Sequence, residues 1–154
     1  MLKTVLLLST FSAVTCGPLA KLQARNGLVP WWIPNDISLG PAKEAIKMCH
    51  KLGDYTPGTI HSAKNISNIL EFGPIDNVTQ ILLGLYSENK QFKWLETEEP
   101  YDYNNIRPGV EIPDGPTFYV MAYEDTPDQK AGEWLPVDGN TEINAVLCNL
   151  FKAL

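Results

Sequence analysis

Ile81-Leu82-Leu83-Gly84-Leu85 is an apolar run interrupted only by a glycine. Side chains of a strand alternate between its two faces, so a continuous apolar strand must be covered on both. The chain therefore needs a sheet with packed layers above and below it, at least around this segment. A hydrophobic content of 44% supplies one ordinary core, and 154 residues suit one domain.

The covering layers are sought upstream. Over 41–52, Ala42, Ala45, Ile46, Cys49 and Leu52 recur at helical spacing, with Pro41 suited to the first helical position and Gly53 to the stop. A shorter helix is expected over 63–72, capped by Ser62 and ended by Gly73-Pro74, with Ile66, Ile69 and Leu70 on its apolar face. A short extended piece is expected around Thr59-Ile60. Prolines on both sides of Trp31-Trp32 make that pair extended or turning.

Downstream of the run, 91–95 is expected to pair with it across a turn at Glu88-Asn89. The stretch 96–115 is rich in Pro, Asn, Asp, Glu and Gly and has no apolar period. It reads as a long loop, and loops of that length are frequently functional. Strands are expected over 117–123, 133–137 and 144–151, with a helix as the competing reading of the last.

The N-terminus reads as a secretory leader. Lys3 gives a positive start, and Val5-Leu6-Leu7-Leu8 with Phe11, Ala13 and Val14 gives an apolar stretch too short to span a bilayer. Cleavage is expected after Cys16, with Ala20 as the second choice. The organisation is then a signal peptide over 1–16, a loose arm over 17–30 and a domain over 31–154. The expected product is secreted, extracellular and without a membrane span.

Three cysteines are present: Cys16, Cys49 and Cys148. If Cys16 leaves with the leader, one pairing, Cys49–Cys148, is open in an oxidising compartment. Two independent buried thiols remain the alternative. Cleavage before Cys16 would leave one thiol over for intermolecular pairing. The formal net charge of −6, without a concentrated basic face, argues against nucleic acid.

Helices first, then strands around a long irregular loop, with a cysteine near each end, resembles the C-type lectin-like fold. The likeness covers 31–151. Ala42-Lys43-Glu44-Ala45 through Cys49, Leu52 and Gly53 resembles that family's first helix and first core cysteine. Ile60-His61-Ser62 resembles the lead into its second helix. Leu82-Leu83-Gly84-Leu85 resembles its Trp-Ile-Gly-Leu strand, with Leu82 in the usual tryptophan position. Phe92, Trp94, Tyr103, Asn105, Pro108 and Gly109 fit the run into its long loop, with Ile106 where a second tryptophan is common. Gly132-Glu133-Trp134 resembles its Gly-x-Trp strand, and Cys148 its last core cysteine. The resemblance implies an α+β fold, two helices packed on antiparallel sheets, and a binding protein for carbohydrate or protein rather than an enzyme.

Sugar-binding members of that family hold calcium through side-chain oxygens flanking a long-loop proline and following the strand tryptophan. Calcium takes about six to eight oxygen ligands. Here Ile112 precedes Pro113, and Leu135-Pro136 follow Trp134, so three expected ligands are missing. No cofactor is expected. Tyr101, Tyr103, Asn105, Glu111 and Asp114 are the candidate ligand contacts, and no metal ligand is assigned. A calcium-dependent lectin with an altered site at Glu111, Asp114 and Asp138 is the first alternative reading. The family's second disulfide is also missing, so packing and turns alone must hold the long loop.

A secreted hydrolase is the alternative from another class, but neither histidine, His50 or His61, falls in a catalytic motif, and no serine lies in a nucleophile turn. A structural component without a specific ligand is a third. Asn65-Ile66-Ser67 and Asn77-Val78-Thr79 are N-glycosylation sequons. Trp94 and Trp134 fall on strand signatures and are expected in the core, whereas Trp31-Trp32 is the better candidate for an exposed contact.

Overall fold

The computed structural model describes residues 20–21, 28–32, 38–53 and 55–150. The expected leader over 1–16 with its expected cleavage after Cys16, the side chains of Trp31 and Trp32, and Phe151 lie outside the described residues. In chain order the strands are β1 (Ala20–Lys21), β2 (Leu28–Trp32), β3 (Gly40–Pro41) and β4 (Tyr55–Pro57). After the helices come β5 (Gln80–Glu88), β6 (Gln91–Trp94), β7 (Thr117–Ala122), β8 (Trp134–Val137), β9 (Glu142–Ile143) and β10 (Ala145–Leu150). Helix α1 is Ala45–His50, entered through a 3-10 turn at Ala42–Glu44, and α2 is Ala63–Leu70.

One eight-stranded sheet runs in the order β1-β2-β10-β5-β7-β8, with β4 added on β10 and β6 on β5; β3 and β9 form a separate pair. The pairings are antiparallel except β10 with β5, which meet in parallel at Val146 and Leu82. The expected two helices on antiparallel sheets are present, with that one parallel junction added. It sits where the C-terminal strand returns beside the central strand, a join that a hairpin cannot make.

The apolar run of β5 is covered on both faces, as its composition demands. Ile81, Leu83 and Leu85 point into a cluster with Ile60, Ile66, Ile69, Trp94, Tyr119, Met121, Trp134 and Leu147. Leu82 points the other way, into a cluster with Ala42, Ala45, Met48, Cys49, Phe118, Val120, Val146 and Cys148. Thus α2 and the aromatic layer cover one face, and α1 covers the other. β7 and β10 split their side chains between the same two clusters with the same period of two.

Gly84 interrupts the run because another backbone crosses there. A Cβ at Gly84 would lie 2.8 Å from the Gly58 carbonyl oxygen and 2.8 Å from Pro57 Cβ. The Gly84 N–H donates to that same Gly58 oxygen at 2.8 Å, and the register of β5 against β7 shifts across this point. Gly58 in turn presses on β10: its Cβ would sit 2.7 Å from Leu147 Cγ.

A disulfide joins Cys49 of α1 to Cys148 of β10, with Cα atoms 5.8 Å apart and both residues fully buried. It fixes the end of a short helix onto the sheet. That helix is shorter than the 41–52 span expected from periodicity, because its first residues wind as a 3-10 turn. There Ala42 N–H donates to the Thr141 carbonyl and Lys43 N–H to that of Gly139. The tighter winding also shifts the buried face: Met48 is buried and Ile46 is only partly so.

Three smaller differences follow from strand pairing. Leu28, Val29 and Pro30, read as the end of an arm, pair with β10, and Ala20–Lys21 pair with β2. The extended piece expected at Thr59-Ile60 lies instead at Tyr55–Pro57, where β10 offers partners. The hairpin turn falls at Asn89-Lys90, one residue later than expected. Both residues have positive φ, 51° and 60°, which the two-residue turn of a twisted hairpin requires.

Candidate functional site

The long loop runs from the end of β6 to the start of β7 and is anchored along its length. At its start, the Tyr101 ring stacks on Phe92 with centroids 4.8 Å apart and planes at 12°. Burial, followed by the nearby Tyr119, pushes the Tyr101 hydroxyl pKa up to about 12. Tyr103 meets Trp134 edge to face at 5.8 Å, and Trp134 meets Trp94 edge to face at 5.9 Å. These geometries suit aromatic quadrupoles. Trp94 and Trp134 are both buried, as their strand positions suggest.

In the middle of the loop, the backbone borrows an edge of the sheet. Trp134 N–H donates to the Asn105 carbonyl at 2.9 Å, and Arg107 N–H donates to the Trp134 carbonyl at 3.0 Å. The Asn105 side-chain amide donates to the Gly132 carbonyl at 2.7 Å, and the Arg107 guanidinium donates to the Asp128 carbonyl. At the far end, Asn89 N–H donates to the Asp114 carbonyl at 2.6 Å, and Lys90 Nζ lies 3.7 Å from the Asp114 carboxylate.

The candidate contacts therefore fall into two groups. Tyr101, Tyr103 and Asn105 are half-buried, each with one side turned into the aromatic layer or the sheet edge. Glu111 and Asp114 are exposed. Between them Ile112 packs against the aromatic cluster, and beyond Trp134 Leu135 packs against the α1 cluster. Both side chains are partly buried against these apolar clusters. Glu111, Asp114 and Asp138 do not assemble the altered site: among the described residues, no three His, Cys, Asp or Glu side chains gather in a metal-holding group. The Asp138 carboxylate instead accepts from its own turn, at Asn140 N–H, 2.7 Å.

His50 is exposed beside Cys49 and His61 stands at the start of α2, but their carboxylate partners are not visible in the sequence. His61 Nδ1 lies 2.6 Å from Asp102 and its Nε2 lies 3.0 Å from Glu99, both at the start of the long loop. Its ring tilts against Trp94 at 5.8 Å. Burial works against its charge, but the hydrogen bonds to Asp102 and Glu99 and their negative charges outweigh that, and the pKa is raised. The same hydrogen bond holds the Asp102 carboxyl below its usual range. His50 Nε2 lies 2.7 Å from Glu96, so the other histidine meets the same limb of the loop. Both ring nitrogens of His61 are occupied by carboxylates, and neither is left to activate a nucleophile. The only advance signal was the acid-rich run Glu96, Glu98, Glu99, Asp102, which names no partner.

No family sequence model matches the chain, and no curated protein matches it. The fold is similar to those of several solved structures. CEL-IV superposes with a TM-score of 0.63 at 18% identity, over 91% of this chain and 96% of its own. The carbohydrate-recognition domain of the mouse scavenger receptor C-type lectin gives 0.61 at 17%, over 86% and 95%. Ovocleidin-17 of Gallus gallus, described as a major protein of the eggshell calcified layer, gives 0.62 at 15%, over 88% and 99%. The architecture is that of a C-type lectin-like domain, α+β, with two helices on a largely antiparallel sheet. Among the described residues, no helix is long and apolar enough to cross a membrane.

Proposed function

We propose that this chain is a secreted C-type lectin-like binding protein that recognises a carbohydrate or protein ligand through its long loop without calcium. The observation that carries the reading is the placement of Ile112 and Leu135. They stand where metal-facing residues are expected, and both pack into apolar clusters. The loop is shaped instead by ring contacts and backbone hydrogen bonds. Ligand contact then falls to exposed Glu111 and Asp114 and to the outward sides of Tyr101, Tyr103 and Asn105.

The test is binding to immobilised glycans and to a panel of extracellular proteins, each measured with calcium and with a chelator. Binding should agree within about twofold between the two conditions. Glu111→Ala with Asp114→Ala should weaken it by roughly fivefold to tenfold, the loss of one or two charged contacts. Binding that vanishes with chelator would overturn the reading.

The secreted reading brings the sequons with it. Asn77 is exposed in a turn with φ 64°, its carbonyl accepting from the Asn144 amide at 2.7 Å. Asn65 is half-buried and its Oδ1 accepts from His61 N–H at 2.9 Å. Both are proposed glycan acceptors, with Asn77 the more fully occupied because a glycan there disturbs no helix cap. Mass analysis of the secreted chain and of Asn77→Gln should show the loss of the main glycan in the variant. Full occupancy of Asn65 with bare Asn77 is the contrary result.

A further inference from the structure

The first limb of the long loop is tied to the end of α1 through His50 and to the start of α2 through His61, by contacts with three carboxylates. His61 lies between Asp102 and Glu99, one carboxylate on each ring nitrogen. A protonated imidazole donates from both nitrogens, so it serves both carboxylates at once. A neutral imidazole has one N–H, so one nitrogen then turns a lone pair toward a carboxylate. The two acids also lose the positive charge between them. The ring is 29% exposed and its partners about half, so solvent screens the pairs without abolishing them.

We propose that His61, Glu99 and Asp102 form a pH-sensitive latch that holds the long loop closed when His61 is protonated and loosens it when the proton leaves. Its bearing on ligand recognition rests on the reading of that loop as the binding surface; the latch itself does not. The groups that face His61 are Glu99 and Asp102 from the loop, the uncharged Trp94 ring from β6, and Asn65 from α2, which touches its backbone. Lys93 on β6 is turned to the Tyr86 ring, 5.4 Å from its centroid, and Lys64 on α2 is exposed. The neighbouring contact of His50 Nε2 with Glu96, 2.7 Å, ties the same limb to the end of α1.

The sign follows from the direction of each shift. His61 has a raised pKa, so its stabilisation is complete below the ordinary imidazole value of 6.5 and is lost as pH rises through the higher folded value. Asp102 has a lowered pKa, so its share is complete above the ordinary 3.8 and is lost as pH falls through the lower folded value. The latch is therefore tightest in mildly acidic solution and opens toward alkaline pH.

Amide hydrogen exchange on the ligand-free chain reads this directly, after correction for the intrinsic pH dependence of exchange. Protection of the amides over 99–105 should fall on the order of threefold to tenfold between about pH 6 and pH 8.5, against little change in β5 and β7. His61 should titrate by proton NMR above an ordinary imidazole. In Glu99→Gln with Asp102→Asn, the midpoint should drop and the pH dependence of the loop should disappear. His61→Phe, which keeps a ring against Trp94, should show the open level of exchange at every pH. Loop protection that is flat with pH in the unaltered chain, or a pH dependence that survives in the double variant, overturns the latch. Neither result depends on any ligand, so a failure of the latch is separate from a failure of the binding reading.

Discussion

Replacing Cys49 and Cys148 together by alanine is expected to lower the unfolding free energy by about 4–5 kcal/mol. The bond closes a span of 99 residues, and removing it restores that much chain entropy to the unfolded state. For a domain of this size the melting temperature should fall by roughly 15 °C. The loss is expected to be local as well as global. Helix α1 has only six residues, too few to hold itself, and beyond the sulfur bridge it rests on Ala42, Ala45 and Met48. Amides of α1 should therefore lose protection before those of β5, β7 or β10. A double variant that melts within about 1 kcal/mol of the unaltered chain would show that the clasp contributes little.

The second large effect is expected at Gly84→Ala. The new methyl would meet backbone, 2.8 Å from the Gly58 oxygen and 2.9 Å from the Pro57 carbonyl carbon, and neither is the end of a flexible side chain. Either β5 or the 57–58 segment must move. Movement stretches the buried hydrogen bond from Gly84 N–H to Gly58. Overpacking of this kind costs about 1–3 kcal/mol and occasionally more, and a weakened buried hydrogen bond adds to it, so a loss of about 3 kcal/mol or more is expected. Gly115→Ala is the control. It has no atom within 4 Å of the added carbon and no positive φ, and it should stay within about 0.5 kcal/mol of the unaltered chain. Equal denaturation midpoints for the two variants would remove the case for a crossing at Gly84.

The sandwiching of β5 was legible because composition alone demands it. A strand of Ile, Leu, Leu, Gly and Leu leaves no face for water, and the structure supplies a layer on each side. The glycine within the run was legible as a position but not as a reason, since the approaching backbone comes from Gly58, far off in sequence. Helix α2 was read nearly in full, because Ser62 accepts from Asn65 N–H as its cap and Ile66 and Ile69 face the core. Helix α1 was overextended. Periodicity cannot tell a 3-10 entry from an α turn, and the hydrogen bonds that wind it come from Gly139 and Thr141. The pairing of Leu28–Trp32 with β10 was hidden for a like reason: strand partners far apart in sequence leave no local mark.

In the loop, residue identities told more about metal than about contact. Ile112, Leu135 and Pro136 carry no side-chain oxygen, and that much can be read directly from the sequence. The engagement of Tyr101, Tyr103 and Asn105 with Phe92, Trp134 and Gly132 depends on the folded path of the loop. The His61 cluster was least legible, because it joins a helix start to acids some forty residues later.

Amide hydrogen exchange across 96–115, followed with saturating calcium and then with chelator at one fixed pH, asks directly what gives the loop its shape. If ring stacking, sheet-edge hydrogen bonds and the imidazole–carboxylate contacts set it, the two exchange profiles will superimpose. Slower exchange in this segment on adding calcium, reversed by the chelator, would mean that a metal orders the loop and would contradict the account.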